Sequence, residues 1–110
     1  MDATRSMIRQ FDVFRNPMRA QRAEKPYLVS VQHDGFVDMT TRVVAALVSR
    51  PPKAAQPRTA PAIRVMQDTV YLDPTDLITL PVRFLGAPVV NVEPERDRII
   101  PALDIVFTGV

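Results

Sequence analysis

Two adjacent residues, His33 and Asp34, are the part of this chain whose side chains most directly suggest catalysis. An imidazole exchanges protons near neutral pH, and a carboxylate beside it can orient the ring, so the pair could form an acid/base dyad. The sequence positions no serine nucleophile for such a dyad, and Gly35 follows the pair at the end of a strand pattern. We therefore interpret the pair as a polar turn, with the glycine at a position of positive φ.

The composition excludes most other familiar active sites. The chain has no cysteine and one histidine, which removes disulfides, thiolate metal sites, cysteine nucleophiles and the common histidine-based zinc sites. We expect no cofactor, no metal and no catalytic residue. A length of 110 residues with 46% hydrophobic residues predicts a single soluble domain over 1–110, with a polar tail at 1–6. Without an apolar run of ~18–20 residues or a signal-peptide pattern, we expect a cytoplasmic protein that makes no membrane contact.

The net charge of +2 conceals an asymmetry along the chain. Residues 1–62 carry ten Lys and Arg against five Asp and Glu, whereas residues 63–110 carry four against seven. A basic half can bind a polyanion. These cations are spread through two loops and are not interleaved with aromatic residues, so solvated loops are the favoured interpretation.

Alternating apolar and polar residues predict a mainly β fold. Strand patterns lie at 8–14, 26–32, 42–48, 63–66, 69–72 and 77–85. Both faces of 42–48 are apolar, which is typical of a central strand. The predicted connections are a basic hairpin loop at 15–25, a proline-rich loop at 49–62, a hairpin turn at Gln67 and Asp68, and a turn at 73–76. Pro81 places the last strand pattern at an edge, a bulge or a crossing.

The C-terminal segment changes to a helical period. Pro94 suits a first helical position and acidic residues surround it, which predicts a helix over 94–108. Pro101 predicts a kink or a late start, because it cannot donate to the carbonyl of Asp97. Gly109 is expected to be the C-cap. The inward stripe of this helix would comprise Ile99, Leu103, Val106 and Phe107.

These elements and several short motifs resemble the CcdB family, the toxin half of a toxin–antitoxin module. The resemblance covers about nine-tenths of the chain, and only the loops at 15–25 and 49–62 need adjustment. In the N-terminal half it rests on Gln10-Phe11-x-Val13 and Val29-x-Val31-Gln32-x-Asp34. In the C-terminal half it rests on Thr75-Asp76, Pro81-Val82, Gly86, Asp97, Ile99, Ala102 and Phe107-x-Gly109.

The resemblance implies an SH3-like barrel with a mainly antiparallel sheet, a smaller three-stranded sheet and one C-terminal helix, assembled as a homodimer. It implies a toxin that binds the A subunit of DNA gyrase and traps the enzyme on cleaved DNA. A CcdA-like antitoxin would wrap the dimer with its disordered C-terminal segment and release gyrase. Such a toxin makes and breaks no bond, so we expect a binding protein that is not an enzyme and does not bind nucleic acid directly.

The resemblance also carries a gyrase-binding surface onto the end of this chain. The transferred residues are Asp104, Phe107, Thr108, Gly109 and Val110, with Phe36 as a weaker match in the turn after the second strand. Thr108 departs from the plasmid-borne member, which has a tryptophan there that stacks around an arginine of gyrase. A threonine has no ring for that cation–π contact. From the residues alone, the favoured interpretation is that Phe107 covers the core as the last residue of the inward stripe; the match at the tail makes a gyrase contact equally plausible.

Two alternatives remain beside the gyrase-binding toxin. A ribonuclease toxin family shares this barrel, and its reaction needs an acid or base close to a cation. Arg64 with Asp68 is the candidate pair for that reaction. The other alternative is a chromosomal homologue that is not toxic and titrates antitoxin, which accounts for Thr108 directly.

Overall fold

The computed structural model describes residues 8–36, 40–53 and 55–109, which contain six strands and one α-helix. The expected polar tail at 1–6 and the candidate Val110 lie outside them. Six strands form one antiparallel sheet in the order β4-β5-β3-β2-β1-β6, which curls into a nearly closed barrel. The strands are β1 (Asp12–Arg15), β2 (Tyr27–Ser30), β3 (Thr41–Val48), β4 (Ala62–Val65), β5 (Asp68–Pro81) and β6 (Val90–Asn91). One helix, α1 (Arg96–Thr108), follows them.

The mainly β fold with one C-terminal helix is therefore confirmed. The smaller three-stranded sheet is not a separate one in the described residues, because the 14-residue β5 pairs with β4 through its first part and with β3 through the rest. The central position of β3 is confirmed, since it lies between β2 and β5. Its two apolar faces contribute to two different clusters of buried side chains.

The larger cluster lies between one face of the sheet and α1. Val13, Val29 and Ala45 are paired neighbours across β1, β2 and β3, and the helix contributes Ile99 and Ala102. The smaller cluster, on the other face, contains Ile8, Phe14, Leu28, Val44 and Leu85. Successive strand residues point to opposite faces, so one stretch of sheet supplies both clusters.

Two predicted strand limits and one predicted turn are wrong, each for a local reason. The first strand begins at Asp12 and not at residue 8, because Phe11 takes a φ of 73°, which extended backbone does not allow. The 73–76 segment is a bulge inside β5 and does not reverse the chain. There the Asp73 carboxylate accepts hydrogen bonds from the backbone N–H (3.1 Å) and the hydroxyl (2.7 Å) of Thr75. Strand β5 ends at Pro81, and a 3₁₀ turn over Val82–Phe84 replaces the predicted continuation to residue 85.

The predicted turns and loops agree better with the structure. A loop containing a 3₁₀ turn at Arg19–Gln21 joins β1 to β2, as the basic stretch predicted. The hairpin between β4 and β5 is confirmed, with its two turn residues at Met66 and Gln67, one position earlier than predicted. The positive φ predicted for Gly35 is wrong, because this residue lies in a 3₁₀ turn at Asp34–Phe36.

Helix α1 begins at Arg96, after a 3₁₀ turn at Glu93–Glu95, and continues through Pro101. Its buried residues are Ile99, Ala102 and Leu103. The predicted inward positions of Val106 and Phe107 are wrong, since both side chains are exposed. Among the described residues, no helix is long and apolar enough to cross a membrane.

Candidate binding surface at the end of the helix

Three of the candidate residues lie on one exposed face of the last helical turns. Asp104, Phe107 and Thr108 are spaced three and four residues apart, which places them side by side on a helix. All three are exposed, and the Phe107 ring is 68% exposed. A carboxylate, an aromatic ring and a hydroxyl therefore face solvent together. We refer to these three residues and Gly109 as the tail surface.

The backbone beneath the tail surface is held in place by two capping bonds. Gly109 takes a φ of 80°, and its N–H donates to the carbonyl of Ile105 at 2.8 Å. A glycine adopts this left-handed conformation without steric cost, so the predicted C-cap is confirmed. One turn earlier, the Thr108 hydroxyl donates to the carbonyl of Asp104 at 2.7 Å. Phe107 is thus presented from an ordered helix end.

Phe36 is exposed as well, at 54%, but it does not join the tail surface within one chain. It follows Asp34, which lines a depression of about 410 Å³ together with Arg96, the first residue of α1. Phe107 lies eleven residues after Arg96 in α1, which is a distance of roughly 16 Å along the helix axis at 1.5 Å per residue. The structure therefore brings four of the six candidates together and leaves Phe36 near the opposite end of the helix.

The turn that carries Phe36 is fixed by Asp34. Its carboxylate accepts hydrogen bonds from the backbone N–H of Gln10 at 2.7 Å and from the guanidinium of Arg9 at 3.1 Å. The hydrogen bond from Gln10, and then that from Arg9, hold the pKa of Asp34 below its ordinary value, against the opposing effect of burial. The hydrogen bond between Arg9 and Asp34 also raises the pKa of Arg9.

A shallow groove of about 520 Å³ adjoins the tail surface. The proline-rich loop contributes Gln56, Arg58 and Thr59 to it, and the helix end contributes Ile105 and Gly109. No pattern in the sequence connects Arg58 with the tail, because residue spacing does not show that the loop folds back toward the helix end.

Neither candidate catalytic pair has a catalytic arrangement. The Nδ1 atom of His33 accepts a hydrogen bond from the N–H of Gly35 at 2.9 Å, and Asp34 bonds Arg9 and Gln10, so the polar turn accounts for both. A Cβ at Gly35 would lie 3.2 Å from that same Nδ1 atom, which is closer than ordinary contact, so a larger residue there would displace the exposed His33 ring slightly.

Arg64 and Asp68 point to opposite faces of the sheet. Asp68 pairs with the buried Val65, which is the neighbour of Arg64 along β4, and adjacent residues of a strand face opposite sides. Asp68 instead accepts a hydrogen bond at 2.8 Å from the hydroxyl of Tyr27, whose pKa is raised by burial and by this bond. A cation and a base for ribonuclease chemistry are therefore not assembled at this pair.

The fold and the tail surface define a small antiparallel barrel that presents an exposed aromatic ring at the end of its helix. The chain belongs to the CcdB family, because the model of that family, described as CcdB protein, matches residues 10–109. The family consists of toxins of toxin–antitoxin modules, each of which is paired with an antitoxin.

A solved structure named as an endoribonuclease from mycobacterial species has a similar fold. The TM-score is 0.70 with 18% sequence identity, over 91% of this chain and 90% of that one. At this identity the likeness concerns the fold alone. A comparison with curated proteins gave no significant match.

Proposed function

We propose that this protein is a toxin that binds the A subunit of DNA gyrase through the tail surface and traps the enzyme on cleaved DNA, without itself catalysing a reaction. The observation that carries the proposal is the exposure of Phe107, at 68%, in a helix that buries Ile99 and Leu103. A ring that served only the core would lie with those residues. An exposed aromatic ring on an ordered backbone is typical of a residue that anchors an interface.

Family membership and charge support the proposed partners. We propose a homodimer with one tail from each chain near the two-fold axis, as the resemblance implies, and the exposed Val106 beside Phe107 supplies apolar surface for such an arrangement. We propose further that the antitoxin is CcdA-like, with a disordered acidic segment that becomes ordered on this toxin. The excess of positive charge in residues 1–62 attracts such a segment.

Removal of residues 108–110 tests the proposal. The truncated protein should lose binding to purified gyrase A and should no longer stabilise cleaved DNA in a gyrase reaction. Folding should persist, because the core consists of strands and of helix residues up to Leu103. Sedimentation equilibrium should report about twice the chain mass of 12.3 kDa for both proteins.

Phe84→Ala provides the matched control, since Phe84 is 50% exposed and lies outside the tail surface. It should bind gyrase like the wild type. A truncated protein that still traps gyrase would refute the assignment of the tail surface.

The second candidate is an endoribonuclease toxin, which is favoured by the fold likeness to the mycobacterial enzyme. The side chains of Arg64 and Asp68 point to opposite faces of the sheet, which argues against ribonuclease chemistry at this pair. Cleavage of RNA by the purified protein in the absence of gyrase would replace our proposal with this one. A full-length protein that binds antitoxin and never gyrase would instead identify a homologue that titrates antitoxin, consistent with Thr108.

A further inference from the structure

Two basic loops meet at one end of the barrel. Arg15 at the end of β1 pairs with Tyr27, which pairs in turn with Leu47, so the loops at 16–25 and 49–61 leave the sheet at the same edge. Two hydrogen bonds join them, from the N–H of Ser49 to the carbonyl of Glu24 at 2.9 Å and from the Ser49 hydroxyl to the carbonyl of Ala23 at 2.8 Å. Stretches that are far apart in sequence therefore form one surface.

The cations of this surface differ from those elsewhere in the described chain. Arg9 and Arg98 have carboxylate partners, Arg96 bonds Gln10, and Arg83 lies over the ring of Phe84. Five exposed cations have no hydrogen bond, ion pair or ring contact among the described residues, and all five lie in or beside the two loops. They are Arg15, Arg19, Arg50, Lys53 and Arg58. We refer to these five residues as the basic surface.

Neighbouring carboxylates neutralise little of the basic surface, although Asp97 lines a groove together with Arg58. Glu24 is the only acidic residue of the two loops. Asp76 pairs with Lys25, which is not one of the five, and this contact raises the pKa of Lys25. Asp68 and Asp73 accept hydrogen bonds from Tyr27 and Thr75. Unpaired exposed cations on one side of a small protein attract a polyanion.

We propose that the basic surface binds the phosphate backbone of double-stranded DNA without regard to sequence. Contacts to phosphates need exposed cations, which the five residues of the basic surface supply. Arg58 also lines grooves that contain the apolar Ile105. An acidic peptide must also offset its cost of ordering by burying apolar groups. The apolar groove between the proline-rich loop and Tyr71 has Arg98 as its only charged lining residue, and Arg98 already bonds Glu95 and the carbonyl of Ala62.

The basic surface also adjoins the tail surface, because Arg58 lines the same groove as Gly109. A chain held by its tail on an enzyme that carries DNA would present these cations beside that contact. DNA binding itself needs no gyrase, so this proposal goes beyond the proposed function and can fail independently of it. It departs from the expectation of no direct nucleic-acid binding that the family resemblance implied.

Fluorescence anisotropy with a labelled DNA duplex, in the absence of gyrase, tests the proposal. Affinity should fall steeply between about 50 and 200 mM salt and should be equal for duplexes of unrelated sequence. Five phosphate contacts correspond to a slope of up to about −4.5 in a plot of log affinity against log salt concentration.

Two double variants with the same change of net charge make the test specific to this surface. Arg19→Ala with Arg50→Ala should weaken binding and reduce the slope by about two, since each lost phosphate contact removes about one. Arg64→Ala with Arg83→Ala removes two exposed cations outside the basic surface. This double variant should leave the affinity for the duplex and the slope of the salt plot unchanged. Equal weakening by the two double variants would overturn the proposal, as would the absence of binding at the lower salt concentration. A polyglutamate peptide has the charge of the proposed antitoxin segment without its apolar residues, and it should bind more weakly than the duplex. Binding of this peptide as tight as that of the duplex would overturn the proposal.

Discussion

Replacement of Phe107 by alanine separates a binding residue from a core residue, because the two roles predict different free-energy changes. Full burial of a phenylalanine side chain stabilises a fold by about 1.5–3 kcal/mol. Phe107 is 68% exposed, so its truncation should lower the free energy of unfolding by about a third of that value, roughly 0.5–1 kcal/mol. A core role would cost about 3–5 kcal/mol on truncation. If the ring anchors the gyrase interface, we expect the binding free energy to fall by about 2 kcal/mol or more, which is roughly a 30-fold loss of affinity.

The assay pairs urea denaturation, which gives the free energy of unfolding, with calorimetric titration of the gyrase A subunit. Phe84→Ala serves again as the control, because it removes the same atoms from a comparably exposed position. It should lose similar folding stability and no affinity. Two results would refute the reasoning. One is a loss of folding stability near 4 kcal/mol for Phe107→Ala, and the other is an affinity for gyrase equal to that of the Phe84 variant.

Three further predictions concern the tail, the antitoxin and the turn at Asp34. Thr108→Trp should strengthen binding to a gyrase that presents the matching arginine by roughly 0.5–2 kcal/mol in a titration, if a cation–π contact forms. The acidic segment of the antitoxin should bind more weakly at high salt, with a residual affinity from apolar contacts, and equal affinities at low and high salt would contradict the electrostatic part. Because hydrogen bonding lowers the pKa of Asp34, its contribution to stability is complete above the ordinary aspartate pKa of about 3.9 and is lost as the pH falls through the lowered value. In denaturation at several pH values, the stability difference between the wild type and Asp34→Asn should be constant above about pH 5 and should shrink in acid; a difference that persists in strong acid would count against this role.

The strands and the helix could be predicted because their patterns are long and periodic. The apolar run of β3 indicated a central strand, and the glycine after α1 indicated its C-cap. The errors fall where a single side chain or dihedral overrides the pattern. The positive φ of Phe11 and the hydrogen bonds of Asp73 to Thr75 are such cases, and no period of two or of 3.6 encodes them.

The candidate site was predictable in its residues and not in its geometry. The motif at the end of the chain named Phe107 and Gly109, but periodicity placed Phe107 on the buried stripe. Ile99 and Leu103 face the sheet, and Phe107 continues their spacing of four. Strands β1 to β5 supply most of the larger cluster, and the helix contacts it only as far as Leu103, so the last turn extends past the apolar surface. Burial depends on where the partner surface ends, and a sequence pattern does not contain that boundary.

The same limit applies to the basic residues and explains why charge alone did not identify a surface. Arg19 and Arg50 are far apart in sequence. They share a surface because the strand register brings both loops to one edge of the sheet and because Ser49 bonds the carbonyls of Ala23 and Glu24. An ion pair removes Lys25 from the set of unpaired cations, although its type and position are similar. Exposed cations are common, and their number in a chain says little about binding. What distinguishes this surface is that every cation left without a partner in the described residues lies on one side of the barrel, next to the helix end that presents Phe107.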